Sequence, residues 1–217
     1  MGRMPHVYLI RHGQTEWSVN GTSDIPLTEQ GIETMKRTAD LVVPGKLPST
    51  GPYVIDPSNV AHIYVSPRQR AQKTAELTTE EIAEWDYGAY EGLITKEIKE
   101  KKKDWWIWTD GCPPSEKEGG PAGESPEEME KRVDGFIAKI RARHRECYEK
   151  GEDAKDIVVV SHGHFSRCFI VRWCGWPLET GYHISADAGA LSILGYQHHN
   201  LDEPSLIALN WFSADRA

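Results

Sequence analysis

Short apolar runs recur along the chain, and each stops at a polar stretch that contains glycine or proline. His6 to Ile10 reads His-Val-Tyr-Leu-Ile and ends at Arg11-His12-Gly13-Gln14-Thr15. Its near-continuous apolarity predicts a parallel strand buried on both faces. Val60 to Val65 and Asp156 to Val160 repeat the pattern, the second ending at Ser161-His162-Gly163-His164. Helical signals lie between them. Thr28 precedes Glu29-Gln30-Gly31 as an N-cap, and Ile32, Met35, Ala39, Leu41 and Val42 carry an approximately helical apolar spacing. Ser66-Pro67 offers a capping hydroxyl before a proline at the first helical position, which puts Arg70 in the first turn. Ser125-Pro126-Glu127-Glu128 has capping-box spacing, followed by Met129, Val133, Phe136, Ile137 and Ile140 on one face. Phe165 to Trp173 reads as a further helix. The tail supplies two strands, 190–196 and 205–210, that turn at Asn200 to Pro204.

Alternating strands and helices predict an α/β fold, doubly wound, with a mostly parallel central sheet flanked by helices. The 217 residues suit a single domain, 1–217, large enough to bury a core. A small cap insertion is expected at 96–123. There a charged stretch, Lys99 to Lys103, is followed by Trp105, Trp106 and Trp108 and then a loop rich in glycine and proline. The lysines read as a solvated face, and the tryptophans as cap core or as an aromatic wall over a pocket.

Composition narrows the function. With 25 Lys+Arg against 33 Asp+Glu, the net charge of −8 argues against a nucleic-acid partner. Cys112, Cys147, Cys168 and Cys174 lack C-x-x-C spacing, so reduced thiols in a cytoplasmic, or also nuclear, protein are expected. No apolar run reaches the ~20 residues that cross a bilayer, and Met1 to His6 has no secretion-signal stretch, so no membrane partner is expected.

His12 and His162 each follow a buried strand, and each precedes a glycine. In open parallel sheets the carboxyl ends of the strands share one rim where ligands bind, so histidines distant in sequence converge there. Gly13 and Gly163 let the backbone turn and approach a ligand closely. Arg11 adjoins His12, and Arg70 opens a helix that faces the same rim. Two guanidiniums with paired imidazoles make an anion site suited to phosphoryl transfer, where catalysis is mainly positioning and charge stabilisation. His162 and His164 lack the carboxylate or cysteine that would complete a metal site, so no metal and no cofactor are expected. His164 reads instead as a pocket-lining residue. His198 and His199, as neighbours on a strand, would face opposite sides and share no ligand.

The run Val7 to Trp17, with Asp24 to Gly31, resembles the opening of the histidine phosphatase superfamily, also called phosphoglycerate-mutase-like. Ser66-Pro67-Arg68-Gln69-Arg70-Ala71, Glu84-Trp85-Asp86-Tyr87-Gly88, Gly123-Glu124-Ser125 and Ser161-His162-Gly163-His164 match it in order. Glu84 to Gly92, Trp106 to Cys112 and His198 to Pro204 resemble the branch that includes the fungal sedoheptulose-1,7-bisphosphatases. The resemblance implies a metal-independent phosphomonoesterase whose partner is a small phosphorylated metabolite, such as sedoheptulose 1,7-bisphosphate. It implies His12 as the nucleophile that becomes a phosphohistidine, and Arg11, Arg70 and His162 as phosphoryl ligands. Glu84 is the implied proton donor, protonated at the first step, with Glu81 and Glu91 as nearby alternatives. Gln14, Asn20, Thr22, Gly163 and His164 are candidate substrate contacts. Two segments, 20–24 and 75–84, are shorter than the family pattern, and only fourteen positions separate Arg70 from Glu84. A phosphoglycerate mutase and a non-catalytic module that binds phosphorylated ligands are the alternatives. The oligomeric state is left open.

Overall fold

The computed structural model describes residues 3–16, 21, 23–43, 55–72, 77–150 and 155–211. In chain order the elements are β1 (Val7–Arg11), α1 (Glu29–Val42), β2 (Val60–Val65), α2 (Gln69–Gln72), β3 (Leu77–Thr78), α3 (Thr95–Lys101), α4 (Ile107–Asp110), α5 (Pro126–Glu149), β4 (Asp156–Ser161), α6 (Gly163–Trp173), β5 (Leu191–Tyr196) and β6 (Pro204–Trp211). Six strands form one sheet in the order β3-β2-β4-β1-β5-β6. The β2·β3, β2·β4 and β1·β4 pairs are parallel, whereas β1·β5 and β5·β6 are antiparallel. The expected mostly parallel α/β sheet is present, and its antiparallel part is the expected tail hairpin.

Alternation along each strand divides the interior into two layers. Val7, Leu9, Ile157, Val159 and Leu194 face α5, α6 and the short helices α3 and α4. Tyr8, Ile10, Val158, Val160, Leu191 and Ile193 face the layer that contains Val42 of α1 and Ala71 of α2. Both faces of β1 and β4 are thus covered, which is why these strands read as unbroken apolar runs. Trp105, Ile107, Trp108 and Cys112 bury in the same cluster as α5 and α6. Trp106 is exposed and meets Tyr182 edge-on, with ring centroids 5.5 Å apart. Of the lysine run, Lys99, Lys101 and Lys103 are exposed, and Lys102 pairs with Asp110.

Helix α5 starts as its sequence predicts. Ser125 Oγ accepts from Glu128 N at 3.2 Å and Glu128 Oε2 accepts from Ser125 N at 2.9 Å. Its buried face comprises the five expected apolar residues and His144.

Four local expectations are corrected. Helix α1 buries Gly31, Thr34, Thr38 and Val42, while Ala39 is exposed. Small residues win that face because two chain segments press on it. A Cβ on Gly31 would strike the Gln14 carbonyl, and Thr38 Oγ donates to the Gly189 carbonyl at 2.7 Å. Helix α2 begins at Gln69, beyond Pro67, and the Ser66 hydroxyl is directed to His162 instead of capping a helix. Helix α6 begins at Gly163, so its first turn includes residues read as loop. His198 and His199 lie in the β5–β6 turn at φ 48° and 52°, off any strand. The short 75–84 connection still holds a strand, since β3 pairs with β2 through Tyr64↔Leu77 and Val65↔Thr78, followed by a 3₁₀ turn at Glu80–Ile82. No described helix is long and apolar enough to cross a membrane.

Phe165, Phe169 and Trp173 lie one turn apart along α6. Phe169 is fully buried, with ring centroids 5.9 Å from Phe165, 6.0 Å from Trp173 and 6.1 Å from Phe136. Phe169→Ala should therefore lower the unfolding free energy by about 3–5 kcal/mol in urea titrations. Leu209→Ala on exposed β6 should cost under about 1 kcal/mol. Equal losses would contradict this assignment of the core.

Candidate active site

Parallel pairing of β1 with β4 sets Arg11 opposite Ser161. The next residues, His12 and His162, therefore emerge side by side, with ring centroids 5.0 Å apart at an interplanar angle of 68°. His12 N donates to the Ser161 carbonyl at 2.9 Å, which fixes the backbone at this junction.

His12 is buried, and its Nδ1 lies 2.6 Å from the Gly13 carbonyl oxygen. A carbonyl only accepts, so Nδ1 carries the proton and Nε2 keeps its lone pair. Burial lowers the His12 pKa to about 3, with Arg11 and Arg70 pushing the same way. The ring is thus neutral, with a nucleophilic nitrogen on offer. Gly13 is needed here because a Cβ would strike the Gly31 carbonyl.

Both arginines reach the same rim. Arg11 Nη1 donates to the Ala186 carbonyl at 2.6 Å, while its buried Nε has no partner among the described residues. An unpaired buried N–H is costly, and a phosphoryl oxygen would satisfy it. A Cβ on Gly163 would sit 3.3 Å from Arg11 Cζ, so glycine gives that guanidinium its room. Arg70 is buried; its Nε donates to His162 Nδ1 at 3.2 Å, Nη1 to the Ser23 carbonyl at 2.6 Å and Nη2 to the Gly21 carbonyl at 3.0 Å. His162 is fully buried and its Nε2 lies 2.6 Å from Ser66 Oγ. Burial, then His12 and the neighbouring arginines, hold its pKa well below the usual histidine range.

Glu84 is brought to the same place despite the short connection, and its charge acts on both His12 and Arg70. Oε1 accepts from Phe165 N at 2.8 Å and Trp85 N at 3.0 Å, and Oε2 accepts from His164 N at 3.1 Å. Burial works to raise its pKa, but His164 and these three N–H groups outweigh it, and the net shift is downward. The carboxyl is therefore ionised here, and the protonated form expected at the first step has to be reached in the course of the reaction. Arg132 braces the segment. It pairs with Glu124 through Nε and Nη2, each at 2.8 Å, and Nη1 donates to the carbonyls of Glu81 and Ala83.

The alternatives to Glu84 are engaged elsewhere. Glu81 pairs with Lys139 at 2.5 Å. Glu91 Oε1 accepts from the backbone N–H groups of Gly21 at 2.9 Å and Ser23 at 3.0 Å, holding the segment whose carbonyls receive Arg70. The His164 ring turns toward an aromatic wall: Nδ1 is 2.7 Å from Tyr87 Oη, with Trp85 and Trp108 nearby. The Arg167 guanidinium stacks 4.8 Å above Trp108. Gln14 is exposed at the rim, and its carbonyl accepts from Thr28 N at 3.0 Å. Asn20 and Thr22 lie outside the described residues. Sequence reasoning missed Ser66, Tyr87 and Arg132 as parts of the site. Ser66 and Tyr87 lie within the quoted motifs, whereas Arg132 shows only as a charge on α5.

The chain is similar to several known proteins over most of its length. The family model described as the histidine phosphatase superfamily (branch 1) matches residues 7–210. The chain is similar to the sedoheptulose 1,7-bisphosphatase of Saccharomyces cerevisiae, at 31% identity over 262 aligned positions covering 93% of this chain and 91% of the yeast protein. Those 262 positions exceed the 217 residues of the chain, so the alignment passes over stretches of the yeast protein without counterpart here. It is 36% identical to an acid phosphatase of Mycobacterium tuberculosis, covering 91% of this chain and 90% of that one. The solved structure of the open reading frame Rv3214 of the same organism superposes with a TM-score of 0.75 at 32% identity, covering 96% and 98% of the two chains.

The buried histidines give the fold a definite pH dependence. His12 is lowered to about 3, His144 and His164 to about 4, and His162 well below the usual value, burial being the leading cause in each. The unfolded chain takes up these protons first, so their contribution is complete above pH ~6.5 and lost on acidification. Urea titrations should show stability falling steeply between pH 6.5 and 4.5, with a slope approaching four protons. A flat profile there would mean that the histidines are not buried in neutral form.

Proposed function

The chain belongs to the histidine phosphatase superfamily, and on that premise we propose that it hydrolyses a small phosphomonoester through a phosphohistidine formed on His12. The observation that carries the reading is the neutral His12 ring, with Nδ1 held on the Gly13 carbonyl beside His162 and between the charges of Arg11 and Arg70.

In the first step the Nε2 lone pair attacks phosphorus, the bond from phosphorus to the ester oxygen breaks, and the departing alkoxide takes a proton from Glu84. Arg11 and Arg70 hold the phosphoryl oxygens and stabilise charge spread over them in a loose transition state. The proton stays on Nδ1, donated to the Gly13 carbonyl. The phosphorylated ring is thus positively charged and becomes a good leaving group. In the second step water attacks phosphorus, Glu84 as carboxylate takes the water proton, the bond from phosphorus to Nε2 breaks with its electron pair returning to the ring, and inorganic phosphate leaves neutral His12 behind.

Glu84 alternates between two protonation states in this scheme. The N–H groups around it favour the carboxylate, and the dianionic ester arriving beside it pushes its pKa back up. Proton uptake accompanies substrate binding. Arg132 and Glu124 keep the 81–86 segment in place so that the carboxylate stays over the phosphoryl group.

A sugar bisphosphate such as sedoheptulose 1,7-bisphosphate is the substrate we propose. Likeness to the yeast bisphosphatase supports that choice.

Phosphate release should be measured across sugar bisphosphates, sugar monophosphates and phosphoglycerates. A bisphosphate should be turned over fastest, and His12→Ala should reduce every rate to background. Acid-labile, base-stable labelled phosphate should be trapped on the native protein and absent from His12→Ala; retained turnover in that variant would sink the assignment. Glu84→Gln should slow sugar phosphates by about 10²–10⁴-fold, yet slow p-nitrophenyl phosphate far less, because nitrophenolate leaves without a proton. Equal slowing of both would remove Glu84 as the proton donor.

A further inference from the structure

We infer that Ser66 is a positioning residue of the phosphoryl site, acting through His162 on Arg70. The inference rests on the phosphoryl-transfer reading above and assigns His162 a task within it.

The protons on the His162 ring are fixed by its two neighbours. Arg70 Nε bears a hydrogen and donates it to His162 Nδ1 at 3.2 Å, so Nδ1 must present its lone pair. A neutral imidazole then carries its one proton on Nε2. That nitrogen lies 2.6 Å from Ser66 Oγ, so the N–H donates to the hydroxyl oxygen. No other tautomer satisfies both contacts. Ser66 and His162 are both fully buried, and no water can replace a missing partner.

Direction therefore runs along a chain of three side chains. Ser66, one residue past β2, is anchored by its N–H on the Val160 carbonyl at 3.1 Å. Its hydroxyl sets the proton on Nε2, the ring turns the Nδ1 lone pair to Arg70, and the Nε contact aims the far side of the guanidinium. Nη1 and Nη2 then point at the carbonyls of Ser23 and Gly21, where phosphoryl oxygens would compete for the same donors. In this state His162 donates through Nε2 to Ser66 and accepts through Nδ1 from Arg70, so the ring ties the aim of Arg70 to Ser66. With Ser66 removed, the ring gains nothing by keeping Nε2–H, and the competing tautomer would present a proton to Arg70 and turn it away.

The test needs no substrate at its first stage. In the native protein, ¹⁵N shifts of His162, assigned by loss of its signals in His162→Ala, should show the Nε2–H tautomer. An Nδ1–H tautomer or an imidazolium would overturn the inference. Orthophosphate affinity, measured by calorimetry, should fall about ten- to a hundredfold in Ser66→Ala, the range expected when a buried polar atom loses its partner. In a His162→Ala background the same substitution should change affinity less than twofold, since the path is already cut. Additive losses would mean that Ser66 acts by packing alone, and the inference falls. Absence of orthophosphate binding to the native protein would defeat the phosphoryl-site reading as well. Native binding with the wrong tautomer, or with additive losses, defeats this inference only.

Discussion

Parallel pairing of β1 with β4 is the constraint on which the site depends. It places Arg11 opposite Ser161 and so sets the two following histidines against each other at one end of the sheet. Both strands are covered on both faces, and a slip of one residue would carry every apolar side chain to the wrong layer. Burial of Val7 through Ile10 against Ile157 through Val160 therefore fixes where the imidazoles stand. The geometry of the candidate site is a by-product of hydrophobic register.

Burial then sets the chemistry. Two guanidiniums beside two histidines in a desolvated pocket cannot coexist with imidazolium, so both rings are neutral. Each proton is assigned by a partner of fixed polarity: a carbonyl for His12, an arginine for His162. The Glu84 carboxylate is stabilised by three backbone N–H groups, two of them in the first turn of α6. In the proposed reaction the site thus begins with Glu84 ionised, and the arriving anion itself brings the carboxylate into its protonated form.

Much of this was legible along the chain. Strands whose apolar runs are continuous announce their own burial, and the glycines after His12 and His162 mark where backbone must pass close to something else. The Ser125 capping box needs only local hydrogen bonds, so it could be read residue by residue. Helix α1 could not. Its apolar spacing favoured Ile32, Met35, Ala39, Leu41 and Val42; Val42 is buried and Met35 packs against that layer, but where Gln14 and Gly189 press on the helix small residues take the inner face. Ser66 failed for a similar reason, since a serine before a proline is a good helix cap unless a buried imidazole stands closer.

The sequence by itself determined the fold class, the strand ends that carry His12 and His162, and the family, because each is written in local periodicity or in contiguous motifs. Only the tertiary structure decided which nitrogen of each ring bears the proton, that Glu84 is a carboxylate before substrate arrives, and that Ser66, Glu91 and Arg132 support the site. Apart from the His12 proton, which the next residue's carbonyl holds, those outcomes are set mainly by partners 49 to 96 positions away along the chain. A side chain's charge and tautomer follow from what surrounds it in space, and no local pattern records that.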